Sequence, residues 1–293
     1  MNWDDLRIFL AVARQGTLAL AAARLAIDPT TVARRVQRLE SSLGATLFEH
    51  TPLGHVLTTR GTALLDQAQM MEEAMVAATE RGGSAKGIAD GTIRVSVSEG
   101  FGSGIIAPNL ADFSNAHPGI VIELVASTGF LNPSRREADI AIMLARPKRG
   151  PLIVRKLTDY SLGLYGRRDR TEISSLTVLS EHRMIGYVPD LIYSPELRYL
   201  DDVPGNLSAS LTSTSVNAQV QLVRSGAGIG ILPCFIADHD PALQRFLSEE
   251  IDIHRAFWLV IHRDMRGIAR IRLFIDWLDE LVAKLRPLFI GLR

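Results

Sequence analysis

A glycine-rich stretch, residues 81–91 (RGGSAKGIADG), separates two parts of the chain that differ in hydrophobic periodicity. Before it, apolar residues recur at the three- and four-residue spacing of amphipathic helices, whereas after it short apolar runs typical of strands alternate with helical segments. The stretch therefore predicts a hinge between an all-α N-terminal domain and a C-terminal α/β domain. With 293 residues, 47% of them hydrophobic, the chain can bury more than one core.

The first 44 residues predict three short helices. Gly16 separates the first two, and Thr17 is suited to cap the second. Asp28 can cap the third helix, with Pro29 in its first turn. Three helices with a tight turn between the last two indicate a helix-turn-helix. Residues 46–58 (TLFEHTPLGHVLT) predict a two-stranded wing, and we assign residues 1–60 to a winged helix-turn-helix domain.

A basic face on the third helix indicates a partner with negative charge. Residues 1–60 contain seven arginines, no lysine and five carboxylates, although the whole chain has a formal net charge of zero. In a helix-turn-helix the second helix of the motif enters the major groove of double-stranded DNA. We therefore expect base contacts from the first turns of this helix and phosphate contacts further along it. An ordinary solvated arginine face is the alternative. The candidate DNA-binding residues are Thr30, Thr31, Arg34, Arg35, Arg38, His50 and His55.

The helix that follows predicts self-association. Between Gly61 and Glu80 apolar residues recur at steps of four and three, as in a heptad seam. The seam residues are Leu64, Ala68, Met71, Met75 and Ala78. Packing of this helix on its own domain is the alternative. We assign residues 61–88 to a dimerisation helix and hinge, and expect a homodimer, or a homotetramer if the C-terminal domains also associate.

Residues 89–293 predict two α/β lobes. A strand at 92–97, a helix at about 104–117 and a strand at 120–126 form a βαβ unit. Further strands are expected at 139–144, 153–156, 162–165, 185–188, 207–211, 228–232 and 256–262, with helices at 216–225 and 268–285. We assign lobe I to residues 89–162 and 265–293, and lobe II to residues 163–264.

A small molecule bound between two such lobes would lie in the crevice at the carboxyl ends of strands, near helix N-termini. The loop at residues 96–103 and the hydroxyl-rich residues 212–215 fit such a site, although helix capping is the alternative for each Ser or Thr. The candidate effector-binding residues are Ser98, Glu99, Phe101, Ser103, Thr128, Phe130, Arg146, Thr214, Ser215 and Ile229.

The charge and shape of the effector stay open. Glu99 disfavours a simple carboxylate ligand unless Arg146 pairs with it. The aromatic side chains of Phe101, Phe130 and Tyr187 could stack on a ring compound, although core packing is the commoner role of such residues.

Residues 3–61 resemble the DNA-binding domain of the LysR-type transcriptional regulators. The residues that match at fixed spacing are Leu6, Phe9, Gly16, Ala21, Ala22, Leu25, Val32, Leu39, Glu40, Leu43, Gly44, Leu47, Phe48, Leu57, Thr58 and Gly61. The resemblance implies that the third helix reads an operator, that the wing contacts the DNA backbone or minor groove, and that the long helix dimerises. Thr17, Ala33 and His50 depart from the family's usual serine, serine and arginine.

The resemblance extends more loosely over the rest of the chain. It implies an effector domain of two lobes, similar to periplasmic binding proteins, crossed by two strands. The expected function is sequence-specific regulation of transcription under the control of a small-molecule effector, with RNA polymerase as a further candidate partner.

The sequence offers no pattern for catalysis. The seven histidines are scattered, one cysteine stands alone, and no nucleophile is spaced with a base, so we predict no catalytic residue, no metal site and no cofactor. No membrane span and no leader are expected, which predicts a cytoplasmic protein. Two alternatives stay open, namely an enzyme with an accessory DNA-binding domain and an architectural DNA-binding protein with a degenerate sensor.

Overall fold

A computed structural model of the chain contains two compact units, residues 1–86 and residues 87–293, and each is described by itself. The structure describes residues 2–51, 54–82, 89–127, 129, 137–169, 172–205 and 207–291. Two predicted effector contacts, Thr128 and Phe130, lie outside the described residues, as do the tip of the wing at 52–53 and most of the glycine-rich stretch.

The N-terminal unit has the predicted helices and wing. Its elements are α1 (Trp3–Gln15), α2 (Leu18–Leu25), α3 (Pro29–Leu43), β1 (Phe48–Thr51), β2 (Gly54–Leu57) and α4 (Thr59–Gly82). The predicted caps are confirmed: Leu20 N donates to Thr17 Oγ1 at 3.3 Å, and Thr30 N donates to Asp28 Oδ1 at 2.8 Å. Gly16 ends α1 with a left-handed φ of 73°. These local signals fix the turn from α1 to α2 and the start of α3.

Residues of all three short helices and of the wing form the core of this unit. Phe9, Val32 and Leu39 are fully or almost fully buried, and the ring of Phe48 lies 5.2 Å from that of Phe9. The start of α4 also belongs to this core, because Ala68 is fully buried in it. The wing is thereby held against α1, and α4 leaves this core only beyond Ala68.

The C-terminal unit is a mixed α/β structure. Its strands are β3 (Gly91–Ser98), β4 (Ile120–Ser127), β5 (Ile140–Met143), β6 (Leu152–Arg167), β7 (Met184–Gly186), β8 (Leu211–Thr212), β9 (Ile229–Pro233), β10 (Leu243–Phe246) and β11 (Ile253–His262). Its helices are α5 (Glu99–Phe101), α6 (Ala107–Ala116), α7 (Val216–Arg224), α8 (Cys234–Ala237), α9 (Ala269–Lys284) and α10 (Arg286–Phe289), with a π-helical turn at Gly102–Ile106 before α6.

Two long antiparallel strands, β6 and β11, connect the lobes. The strand order is β4-β3-β5-β11-β6-β9-β7-β8, with β10 also paired to β6. The strands β3, β4 and β5 form lobe I together with α6 and α9, and β7 to β10 form lobe II with α7. The predicted separate strands at 153–156 and 162–165 are wrong, because β6 runs without a break from Leu152 to Arg167. Residues 158–161, most of them polar, interrupt the apolar pattern and so predict a break. Backbone pairing with β11 nevertheless holds them in the sheet.

Other boundaries differ less. The strand expected at 207–211 is reduced to Leu211–Thr212, and the helix expected from residue 104 begins as a π-helical turn. The closing helix α9 buries its predicted apolar face, including Ile271 and Leu278, against lobe I. Within the described part of the chain, no helix combines the length and the apolar character needed to cross a membrane.

Candidate functional site

The first turns of α3 expose one arginine without an internal partner. Arg34 is exposed and makes no hydrogen bond or ion pair with any described residue. Thr30 is also exposed, and its hydroxyl donates to Asp28 Oδ1 at 2.6 Å, which holds the side chain at the helix start. Thr31 is half-buried and lines a shallow surface pocket with Ile27. Arg34 is therefore the cation of α3 that is freest to meet DNA.

Arg35 and Arg38 are held by a carboxylate of α1. Arg38 Nη2 lies 2.5 Å from Asp5 Oδ1 and its Nε lies 3.1 Å from Asp5 Oδ2, while Arg35 Nη1 lies 3.4 Å from Asp5 Oδ1. The Asp5 side chain is only 4% exposed. Hydrogen bonding to Arg38 holds the pKa of Asp5 below its usual range. These two arginines, predicted as phosphate contacts, thus already neutralise a buried acid of their own domain.

The two wing histidines form a cross-strand pair. His50 and His55 are directly opposite in the β1–β2 ladder, with ring centroids 5.0 Å apart. His50 is exposed, whereas His55 is half-buried with its ring edge-on to Phe48 and its Nδ1 buried without a partner. Burial, followed by the neighbouring His50, lowers the pKa of His55. His55 therefore packs inside the wing, and His50 alone of the pair faces outward.

A small cleft lies in the C-terminal unit where the two lobes meet. Its open volume is about 20 Å³, roughly the space of one ordered water molecule. Of the predicted effector contacts it contains Ser98, Glu99, Phe101 and Thr214. Ser98 does not cap α5 with its side chain, so its hydroxyl is available to the cleft. Phe101 is fully buried among other aromatic rings and forms part of the floor.

Two hydrogen-bonded contacts hold the lobes together beside this cleft. Ser215 Oγ of lobe II donates to Glu99 Oε1 of lobe I at 2.8 Å and also accepts from Ala218 N at the start of α7. Asn217 Nδ2 donates to Ser103 Oγ at 3.1 Å. Both predicted hydroxyls, Ser103 and Ser215, are therefore engaged in contacts between the lobes, and Ser215 caps a helix as well.

Arg146 and Ile229 lie apart from the cleft-lining residues. The Arg146 guanidinium lies over the ring of Trp258, 5.6 Å from its centroid, and Ile229 is 1% exposed within β9. The pairing of Arg146 with Glu99, on which a simple carboxylate ligand depended, is therefore not present between these two described residues. Trp258 lies on β11, remote from Arg146 in the chain, and local sequence patterns do not reveal such a contact.

Tyrosines contribute more to the cleft than the sequence indicated. Tyr187 was an expected stacking residue, but Tyr160, Tyr193 and Tyr199 also line the cleft. Burial raises the pKa of Tyr160, Tyr187 and Tyr199, and raises that of Tyr193 to about 12. All four phenols are therefore neutral at physiological pH. Tyr193 and Tyr199 follow no periodic pattern, so only the fold brings them together.

A second cavity, of about 300 Å³, lies within lobe II. Its lining is largely apolar and includes Ile192, Leu200 and Leu207. Tyr187 and Tyr199 line both this cavity and the cleft. The two spaces therefore lie next to each other and share these residues in their walls.

The described part of the chain contains neither a candidate metal site nor a reactive thiol. No three His, Cys, Asp or Glu side chains gather there in a way that could hold a metal ion. Cys234 is buried, and burial raises the pKa of its thiol to about 11, which disfavours redox reactivity.

Comparison with known proteins matches both units to one family. The family model for the bacterial regulatory helix-turn-helix protein, lysR family, matches residues 3–62, and that for the LysR substrate binding domain matches residues 86–283. The Mau operon transcriptional activator of Paracoccus denitrificans is 30% identical over 97% of this chain and 98% of its own length.

Solved structures agree. The chain resembles CrgA, a LysR-type transcriptional regulator from Neisseria meningitidis, with 27% identity, a TM-score of 0.57 and coverage of 96% of this chain and 98% of that one. It also has the fold of a full-length OxyR variant from Pseudomonas aeruginosa, with a TM-score of 0.74 at 18% identity and coverage of 96% and 97%. The predicted family and fold class are thereby confirmed. The chain belongs to the LysR family of bacterial transcriptional regulators, with a helix-turn-helix DNA-binding domain followed by an effector-binding domain.

Proposed function

We propose that this regulator binds a two-fold related promoter site as a homodimer, and that a small molecule entering the cleft between its lobes changes those DNA contacts. The proposal assigns DNA binding to residues 1–60, dimerisation to 61–88 and effector sensing to 89–293. Since its partner is bacterial chromosomal DNA, it would act in the cytoplasm.

The observation that carries the DNA-binding part is the unpaired Arg34 at the start of α3. An arginine in the major groove can bond two acceptors of guanine at once, which discriminates against other bases by about 1 to 3 kcal/mol. Thr30 is positioned beside it by Asp28. Arg35 and Arg38 would add phosphate contacts only as far as they leave Asp5.

The exposed side of α4 supports self-association. Met71 and Met75 are 44% and 48% exposed, at the four-residue spacing of the predicted seam. Leu64 and Ala68, in contrast, pack into the unit's own core. The dimer seam would therefore begin beyond Ala68. A dimer fits a palindromic operator because two-fold symmetry in the protein is matched by two half-sites in the DNA.

Hydrogen bonds across the cleft support a sensing role. The contacts from Ser215 to Glu99 and from Asn217 to Ser103 connect the lobes, so a ligand that inserts between them must bind open and closed arrangements with different affinity. A ligand that binds more tightly when these contacts are broken would shift the population toward a more open arrangement of the lobes. The shift would alter the spacing of the paired DNA-binding domains and thereby DNA bending or contact with RNA polymerase.

Fluorescence anisotropy tests the proposal. At fixed near-physiological salt, DNA from upstream of the protein's own gene is expected to bind about a thousandfold more tightly than scrambled DNA. Arg34→Ala is expected to weaken operator binding by about five- to a hundredfold and to relax discrimination. Arg149→Ala, which removes an exposed arginine of the C-terminal unit, serves as the control. Equal affinity for both DNAs would contradict sequence-specific regulation.

Two other functions would give different results. Turnover of a bound small molecule would indicate an enzyme with an accessory DNA-binding domain, although the relatives reported above are named as transcriptional regulators. An architectural protein would bind DNA but respond to no small molecule.

A further inference from the structure

The cleft between the lobes contains a carboxylate whose second oxygen has no partner. Glu99 Oε1 accepts a hydrogen bond from Ser215, but Glu99 Oε2 is buried and accepts none. Buried carboxylate oxygens are costly to leave without a donor. The site is therefore short of one hydrogen-bond donor, and a positively charged donor suits it best.

Cationic side chains do not supply that donor. None of the described residues that line the cleft is a lysine, arginine or histidine. Arg255, which acts electrostatically on the Tyr160 and Tyr199 phenols, forms an ion pair with Asp202. Arg146 lies over Trp258 instead. Among the described residues, no cationic side chain therefore reaches Glu99 in the cleft.

An anionic ligand has no comparable place. The N-terminus of α7 attracts negative charge, and its Ser215 hydroxyl would suit an anion. Glu99 from the opposite lobe already occupies this position through its hydrogen bond to Ser215. A carboxylate ligand would therefore meet a fixed carboxylate, with the repulsion undiminished by any cationic side chain among the described residues that line the cleft.

Aromatic side chains form much of the remaining wall of the cleft, beside aliphatic ones such as Leu144 and Val216. Tyr160, Tyr187, Tyr193 and Tyr199 all line it, and the rings of Tyr187 and Tyr199 meet edge to face at 5.7 Å. Tyr160 is 1% exposed and its hydroxyl makes no hydrogen bond of ordinary geometry. Aromatic faces attract organic cations, and a neutral phenol can accept a further hydrogen bond from an ammonium group.

We propose that the effector is an organic cation, an alkylammonium whose N–H group donates to Glu99 Oε2 while the tyrosine rings surround its charge. This inference rests on the proposed function, since it names the ligand class of the same cleft. The cleft of about 20 Å³ accepts a group of ammonium size. The neighbouring cavity of about 300 Å³, behind Tyr187 and Tyr199, has room for the apolar substituent.

Three probes that share a six-carbon chain but differ in charge test whether the cleft requires a positive ligand. Hexylammonium, hexanoate and hexan-1-ol are titrated into the full-length protein by calorimetry and thermal denaturation, with sodium chloride at equal ionic strength as the blank. Binding of hexylammonium alone, with a raised Tm, is the expected result. Potassium and sodium ions are expected to be inert, because the tyrosine faces and the apolar cavity favour an organic ion.

Glu99→Gln tests the assigned residue. The amide keeps an acceptor for Ser215 but loses the charge, so hexylammonium is expected to bind at least about tenfold more weakly. Glu123→Gln, which neutralises an exposed carboxylate paired to Arg94, is the matched control and is expected to bind like the parent. A parent-like affinity in Glu99→Gln overturns the assignment.

DNA binding separates failure of this inference from failure of the function. Suppose that operator binding is specific but hexylammonium leaves Tm unchanged, or that hexanoate or hexan-1-ol binds instead. The assignment of a cationic effector is then wrong, whereas the proposed regulatory function is not contradicted. If operator and scrambled DNA bind alike, the proposed function itself fails. A hexylammonium-dependent change in operator affinity that Glu99→Gln abolishes supports both.

Discussion

Replacing Asp5 by asparagine is expected to make DNA binding more dependent on salt while destabilising the N-terminal unit. Asp5 is the 4%-exposed acid to which Arg38 and Arg35 are bound. Removing its charge frees both guanidinium groups on the surface of α3, where DNA phosphates can replace the lost carboxylate.

The exposed fractions of Arg38 and Arg35 set the size of the expected loss in stability. Arg38 is 57% and Arg35 30% exposed, so water screens the pair and restores much of their solvation once the acid is neutralised. The expected loss in free energy of unfolding is therefore about 1 kcal/mol, between the values for an exposed ion pair and a charged hydrogen bond. Each arginine that gains a phosphate steepens the dependence of log Kobs on log[salt] by about 0.9, or about 1.8 for both.

Anisotropy with scrambled duplex DNA at a series of salt concentrations measures this slope for the parent and for Asp5→Asn. Asp4→Asn is the control, because Asp4 is 57% exposed and reaches Arg35 only at 3.6 Å. A slope that is unchanged or shallower in Asp5→Asn would refute the reasoning. It would mean that Asp5 orients the two guanidinium groups for DNA binding and does not compete with the DNA phosphates for them.

Three further changes probe the N-terminal unit. Met71→Glu places a charge on the exposed seam of α4 and is expected to convert dimers to monomers in light scattering. His55 has a lowered pKa, so its contribution to stability is present above about pH 6.5 and is lost as pH falls through the lowered folded-state pKa. His55→Phe is therefore expected to flatten the decline in urea-unfolding midpoint between neutral and mildly acidic pH. Gly61→Ala would place a Cβ 2.1 Å from the Leu47 carbonyl oxygen and is expected to cost about 1 to 3 kcal/mol, measured by urea denaturation.

The matching controls use neighbours of the same type. Thr62→Glu adds the same charge on the opposite face of α4 and is expected to leave the proposed dimer intact. If both variants are monomers, Met71 does not mark the dimer interface. His50→Phe replaces the exposed partner and is expected to retain most of the pH dependence; if it abolishes that dependence instead, the assignment to His55 is wrong. A Gly61→Ala midpoint equal to the parent's would show that α4 shifts freely against the wing.

The short-range features of the fold were predictable from the residues. The caps at Thr17 and Asp28 and the turn at Gly16 all lie where the sequence places them, because each depends on contacts within a few residues. The continuous strand β6 was missed, since its polar middle residues are held by pairing with β11, which is remote in the chain.

Some residues of the cleft were likewise predictable from the sequence and others were not. Ser98, Glu99 and Thr214 were placed at the cleft because strand ends and helix starts define such crevices. Tyr193 and Tyr199 were not, since they lie in a region of short turns without periodicity. The contact of Arg146 with Trp258 was not predicted, because side-chain direction depends on which neighbour the residue meets in the fold.

The sequence by itself determined the family, the order of the helices and most of the strands, and the presence of arginines on α3, because local propensity and fixed spacing encode these directly. Only the tertiary structure decided which charges remain unpaired. Asp5 binds Arg38 across 33 residues and Ser215 binds Glu99 across 116, so the unpaired Arg34 of α3 and the unpaired second oxygen of Glu99 emerge only after folding. Pairing depends on distances between side chains that are remote in sequence, and such distances are set by the packing of the whole domain.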